Sequence, residues 1–140
     1  MALKMSDLKV GDLRQDTLVE DLTRTQIVQY AGASGDYNPL HTDEVFATQV
    51  AGYPSVFAHG MLTMGITARL LTDWVGDGRL LSYGARFVKQ VWPGDTLTAR
   101  AEVTALRDTD EGPVADFKVE TANQNGDVVL SGTASARLDP

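Results

Sequence analysis

Apolar and polar positions change their period along the chain. Between residues 61 and 75, Met61, Leu62, Met64, Ile66, Ala68, Leu70, Leu71, Trp74 and Val75 occupy almost every face of a helical wheel. That distribution predicts a long helix buried all round, not an amphipathic surface helix. After it, the stretches 80–91, 96–106, 114–122 and 128–138 carry strand-forming residues separated by Pro-Gly-Asp, Asp-Glu-Gly-Pro and Asn-Gly-Asp turns. They predict four strands running as an antiparallel meander. One further strand is expected near residues 13–19. Thr23 and Gln26, three residues apart, predict a capping box that opens a short helix over 24–31, ended by Gly32. Thr42 is expected to cap a second short helix through Val45, Phe46 and Val50, followed by an irregular passage at Gly52, Pro54 and Ser55 up to His59. The expected class is α+β, with an antiparallel sheet wrapped around one central buried helix.

Size and composition narrow the function classes. A chain of 140 residues, 43% hydrophobic and 22% charged, without repeats or linkers, is expected to be one domain over 1–140. Its net charge of −7 opposes nonspecific binding to nucleic acid or to an anionic membrane, so an anionic ligand must be met by local cations. There is no cysteine, hence no disulfide and no thiolate chemistry, and two histidines alone do not make a convincing transition-metal centre. No signal-like apolar core stands at the N-terminus, and no apolar run reaches the roughly 18 residues of a membrane span. A cytoplasmic protein without a metal is expected.

The chemistry concentrates in residues 30–41, Tyr-Ala-Gly-Ala-Ser-Gly-Asp-Tyr-Asn-Pro-Leu-His. Pro39 drives Asn38 toward extended backbone, and Gly32 and Gly35 allow conformations closed to other residues, so Asp36 and His41 are expected on a shaped turn outside regular helix. A carboxylate and an imidazole brought together can grip one water, taking one proton and returning another, which is the chemistry of adding or removing water. Either can be the base: an imidazole suits both directions of transfer, and a carboxylate does so once burial raises its pKa. On spacing alone, an ordinary Asp-x-Asn-Pro surface turn beside an exposed histidine explains these residues equally well. Gly60 begins the long helix, where unpaired N–H groups and the helix dipole favour negative charge. It is a candidate oxyanion donor, against the plain alternative of a helix start with no ligand. His59 is read as a loop or cap residue, outside the catalytic set.

Three stretches carry a resemblance that covers nearly the whole chain: residues 30–47 with their Gly-Asp-x-Asn-Pro-aliphatic-His core, residues 58–65 (Ala-His-Gly-Met-Leu-Thr-Met-Gly), and residues 86–97 (Arg-Phe-Val-Lys-Gln-Val-Trp-Pro-Gly-Asp-Thr-Leu). They are similar to the MaoC-like, or R-specific enoyl-thioester hydratase, family. The second stretch, with Asp-Trp-Val-Gly-Asp at 73–77, also resembles the B subunit of actinobacterial hydroxyacyl-ACP dehydratases. The resemblance implies a hot-dog fold and a catalytic pair Asp36 and His41. It supports Gly60 as the oxyanion donor and Asn38 as support for the loop. It further implies hydration of trans-2-enoyl thioesters of CoA or acyl carrier protein to (R)-3-hydroxyacyl thioesters, with no cofactor. Arg86, Lys89 and Arg100 are candidates for the carrier phosphates. Some relatives place a serine where this chain has Ala68, which bears on water positioning. A homodimer is expected, because paired sheets cover exposed edges; a heterodimer with a sister subunit is the variant. The competing readings are a module that binds acyl thioesters without turnover, and a hot-dog thioesterase.

Overall fold

The computed structural model describes residues 3–140. In chain order it contains a 3₁₀ turn (Met5–Asp7), β1 (Leu13–Val19), α1 (Arg24–Ser34), a π-helical turn (Phe46–Val50), α2 (Gly60–Val75), β2 (Leu80–Phe87), β3 (Leu97–Thr109), β4 (Gly112–Ala122) and β5 (Val128–Arg137). The strands form one antiparallel sheet in the order β1-β3-β4-β5-β2.

Helix α2 packs against both edge strands, β1 and β2, and against β3 and β5 between them. A flat sheet of five strands spaced by about 4.8 Å is about 19 Å across, whereas a helix with its side chains is about 10–12 Å thick. One helix reaches both edges only if the sheet wraps around it. Register shifts at residues 17/19, 80/82, 103/105 and 121/122 supply the bends. Where β5 meets β2, a Cβ on Gly132 would collide with the Gly84 carbonyl oxygen and lie 2.7 Å from the Ala85 Cα, so only glycine permits that approach.

Two buried clusters hold the layers together. Leu70, Leu71 and Val75 of α2 meet Ala99, Ala101, Val103, Phe117, Val119 and Ala134 of the sheet. The second cluster joins Leu22, Ile27, Ala58, Val91, Leu97, Val129 and Leu130, and so fixes α1 and the approach to α2 on one end of the sheet. Trp74 packs on the first cluster, its ring 5.3 Å from that of Phe117.

Several expectations are corrected. The capping box is present, with Thr23 N–H donating to Gln26 Oε1 at 2.9 Å and Gln26 N–H to Thr23 Oγ1 at 3.0 Å, but α1 runs past Gly32 to Ser34. It stops where Gly35 adopts left-handed backbone at φ 76° and donates to the Ala31 carbonyl. The second short helix starts at residue 44 and becomes a π-helical turn over Phe46–Val50, and Asp43, not Thr42, stands at its head, accepting from Phe46 N–H at 3.2 Å. The four later strands are not a simple meander: β3, β4 and β5 are, whereas β2 lies beyond β5 at the edge. The turn at 93–95 is therefore part of a crossover. Buried Asp95 accepts Trp92 N–H and the Gln124 amide, both at 2.9 Å, and that tie fixes the crossover instead of a hairpin. On α2 the fully buried stripe is Thr63, Thr67, Leu70, Leu71 and Val75, while Met61 is 55% exposed. One sheet covers only part of the helix's circumference, and the uncovered stripe of Met61, Gly65, Arg69 and Asp73 carries two charges.

Candidate active site

The loop after α1 is built by short-range bonds from its own polar side chains. Asp36 N–H donates to Ser34 Oγ at 3.2 Å, Asn38 N–H to Asp36 Oδ1 at 3.2 Å, and Leu40 N–H to Asn38 Oδ1 at 3.1 Å. The last two are Asx-type turns, in which a side chain stands in for backbone. They place Asn38 as a brace between Asp36 and the Pro39 corner, and His41 N–H closes the loop on the Asn38 carbonyl at 3.0 Å.

His41 is only 9% exposed. Its Nδ1 lies 2.6 Å from the Phe57 carbonyl oxygen, and its ring meets the Phe57 ring edge-on at 5.2 Å. A carbonyl only accepts, so Nδ1 carries the hydrogen and Nε2 is left with a free lone pair. Burial holds the His41 pKa below its ordinary 6.5, against the opposite pull of the Phe57 carbonyl. His41 is thus a neutral imidazole with its basic nitrogen uncommitted.

His59 joins these two residues, and the sequence reading left it out. It is 2% exposed, its Nε2 donates to the Asp36 carbonyl oxygen at 3.0 Å, and its ring stacks on His41 at 3.8 Å with 24° between the planes. Tyr30 of α1 makes a T-shaped contact with it at 4.9 Å. His59 occupies the N-cap position of α2, but its side chain makes no capping bond there and is free for the contacts with Asp36 and His41. The Ala-His-Gly string was the available signal, but the function of its histidine depends on residues 18 and 23 positions away that only the fold brings near.

Asp36, His41 and His59 each offer a ligand atom, all within 4.8 Å of one another. One water with two hydrogen bonds of about 2.8 Å at a tetrahedral angle spans about 4.6 Å, so groups no further apart than 4.8 Å are within reach of a single bridging water. The same cluster is a poor metal cage. Metal ligation needs the ion in the plane of each imidazole, and two stacked, nearly parallel rings have no common in-plane point nearby.

Gly60 opens α2 directly after His59. Among the described residues its N–H has no acceptor, while Leu62 and Thr63 N–H both turn back to the His59 carbonyl. A Cβ at Gly60 would lie 2.5 Å from the Phe87 ring, so glycine is what lets that ring approach. A cavity of about 220 Å³ opens here, lined by Phe57, Gly60, Thr63, Phe87, Lys89 and Val91 among others. Hydroxyls reach this part of α2 from Thr63 on the cavity wall and from Thr67, which is buried against Thr121; Ala68 supplies none. Lys89 stands at the cavity but pairs with Asp127 at 3.2 Å. Arg86 and Arg100 are not brought to it. Both alternate along their strands with residues that face α2, and they line grooves with Lys118 on the opposite face of the sheet.

The match to known proteins falls on this arrangement. Residues 10–125 match the family described as the MaoC like domain. This chain belongs to the MaoC-like family. It is 38% identical over 118 residues to 3-hydroxyacyl-thioester dehydratase Y of Mycobacterium tuberculosis, covering 82% of this chain and 39% of that protein. It is 34% identical over 138 residues to the (R)-specific enoyl-CoA hydratase of Aeromonas caviae, covering 97% of this chain and 99% of the relative. The solved structure of the A. caviae (R)-hydratase superposes with a TM-score of 0.82 at 31% identity, over 94% of this chain and 98% of that one. The ChsH1-ChsH2 complex of M. tuberculosis superposes at 0.79 and 26% identity, over 94% and 98%. This MaoC-like chain therefore has the hot-dog fold, with its Asp/His loop and the first turn of its central helix at one end of the sheet.

Proposed function

We propose that this MaoC-like chain is a hydro-lyase that adds water reversibly to trans-2-enoyl thioesters of CoA or acyl carrier protein, giving (R)-3-hydroxyacyl thioesters in fatty acid metabolism. The observation that carries the reading is the meeting of Asp36 and His41 within 4.8 Å, a separation one water can bridge, near the N–H at the start of α2 that has no acceptor among the described residues. The names of the similar dehydratase and hydratase support it.

The chemistry follows from which atoms are free. The thioester carbonyl points at Gly60 N–H, and the water sits between Asp36 and the lone pair of His41 Nε2. As the water oxygen bonds to C3, one O–H bond breaks and its proton passes to Nε2. The C2=C3 π electrons move toward the thioester, and the negative charge on its oxygen is held by Gly60 N–H and the helix dipole. The imidazolium, favoured by the Asp36 carboxylate, then returns its proton to C2. One water is consumed and no redox change occurs, so the step calls for no redox cofactor, and His41 and Gly60 N–H supply the base and the charge stabilisation that a metal would otherwise provide. The domain acts as one unit in the cytoplasm, and Lys89 is the side chain nearest the cavity that suits a carrier phosphate.

The active assembly is a pair of hot-dog sheets, two copies of this chain or one copy with a sister subunit. Strand β2 is an unpaired edge, and Leu81, Phe87, Val88 and Met61 near it are all more than half exposed. Pairing across β2 would cover them. Sedimentation at micromolar concentration is expected to give a dimer, alone or with a sister chain; a stable, active monomer would overturn this.

The deciding assay mixes purified protein with crotonyl-CoA and longer enoyl thioesters on CoA and on acyl carrier protein. Loss of absorbance at the enoyl-thioester band is expected. Binding without loss at any chain length or carrier would instead identify a non-catalytic acyl-thioester module.

A further inference from the structure

We infer that His59 is a positioning residue that sets the Asp36–His41 geometry, acting through one ring on both members of the pair. The inference rests on the hydratase reading for its kinetic consequence, but its structural part stands independently.

Phe57 holds the far end of the loop, its N–H donating to the Leu40 carbonyl at 3.3 Å and its carbonyl accepting from His41 Nδ1, but the bonds at Asp36 described so far are local to residues 34–38 and do not tie that residue to the protein beside α2. His59 makes that tie. Its Nε2–H donates to the Asp36 carbonyl at 3.0 Å, from a side chain that is 98% buried and anchored at the first residue before α2. The flat face of the same ring carries His41 at 3.8 Å. The Phe57 carbonyl holds the His41 ring at Nδ1, and the stacked face of His59 blocks turning of the ring about its Cβ–Cγ bond toward that side. One ring thereby fixes where the carboxylate begins and which way Nε2 points.

The bonding also defines the tautomer. Nε2 faces a carbonyl and must carry hydrogen, while His59 Nδ1 is buried with no partner among the described residues. A second N–H at that atom would be an unsatisfied buried donor, which costs more than a bare lone pair beside aromatic rings. Tyr30 packs against the same ring in a T-shaped contact, 67° between the planes. Asp36, through its backbone carbonyl, His41 and Tyr30 are the residues with titratable side chains that touch His59, and the Nε2–H ring of His59 lies on the Nδ1–H ring of His41.

The test uses the full chain, which has two histidines and so gives a spectrum with two ring systems. Nitrogen-15 NMR of the wild-type rings near neutral pH is expected to show one Nδ1–H tautomer, His41, and one Nε2–H tautomer, His59, assigned with the variants. His59 found as Nδ1–H, or protonated on both nitrogens, would overturn the arrangement whatever the activity. For kinetics, His59→Phe keeps a flat face but loses the donor, and His59→Gln keeps a donor but loses the face. Misplacement by about 1 Å costs on the order of a hundred-fold in rate. His59→Phe is therefore expected to lower kcat by at least about tenfold with KM nearly unchanged, and His59→Gln to recover part of it. Wild-type kcat in both folded variants would overturn the inference. So would parallel losses in kcat and melting temperature, with no recovery by glutamine and an unchanged His41 tautomer, since that marks a merely structural residue. If the phenylalanine variant does not fold, the glutamine variant and the wild-type spectrum still decide. A wild-type protein that hydrates no enoyl thioester would fail the functional proposal, and the tautomer result would still stand or fall separately.

Discussion

Replacing Asp36 with asparagine or His41 with alanine is expected to lower hydration of an enoyl thioester by about a hundred-fold to ten-thousand-fold, the usual contribution of a positioned acid or base. Neither change should unfold the protein. Asp36 is exposed, and its Oδ1 accepts one loop N–H that an asparagine oxygen can still accept. The two losses differ in origin. Asparagine keeps the loop but removes the charge that stabilises the imidazolium. Alanine removes the proton acceptor itself, along with the Phe57 bond and the stacking on His59. The pH dependence separates them further. His41 must be neutral to take the water proton, and its pKa is held below 6.5 chiefly by burial. The rate should therefore fall on the acid side only below that value and stay level toward neutral pH, and this acid limb should vanish with His41→Ala. Steady-state rates across pH, with circular dichroism on each variant, check this. A folded variant of either residue keeping more than a tenth of wild-type turnover would show that the pair is wrongly assigned.

Hydration of crotonyl-CoA is expected to yield only the R alcohol. Three fixed groups determine the face of attack: Asp36 and His41, which hold the water, and Gly60 N–H, which holds the carbonyl. The helix that carries Gly60 is anchored by Leu70, Leu71 and Val75 in the core, and the loop that carries Asp36 is tied to it through His59. Presenting the opposite face would swing C3 away from the water by more than the about 1 Å that already costs on the order of a hundred-fold. The similarity to an (R)-specific hydratase sets the sense of the face. Product offered separately to R-specific and S-specific hydroxyacyl-CoA dehydrogenases gives the readout. NAD reduction with the S-specific enzyme alone would contradict both the site geometry and the proposed reaction.

Features governed by neighbours in the chain were legible in the sequence. The Thr23/Gln26 box, the strands at 13–19, 114–122 and 128–138, and the turn character of residues 35–41 rest on capping, side-chain alternation and the limits that proline and glycine place on backbone. The Asp36/His41 motif was readable for the same reason, because its loop is braced by bonds two residues long. Even there the end of α1 was misplaced. Gly32 can sit in a helix, and only the left-handed conformation of Gly35 marks the stop.

What tertiary structure alone decided depends on partners distant in sequence. Strand β2 lies beside β5, because Gly132 lets the two backbones close up and the Asp95 tie turns residues 93–95 into a crossover. Arg86 and Arg100 fall on the far side of the sheet because their neighbours fill the α2 side, a choice of face that charge and propensity do not encode. His59 looked like a loop residue because nothing within four positions needs its ring. The fold supplies Asp36 and His41 as its partners, and burial then makes each of those contacts count. The sequence by itself determined which side chains could do the chemistry; packing decided which of them meet, in which tautomer, and on which side of the sheet.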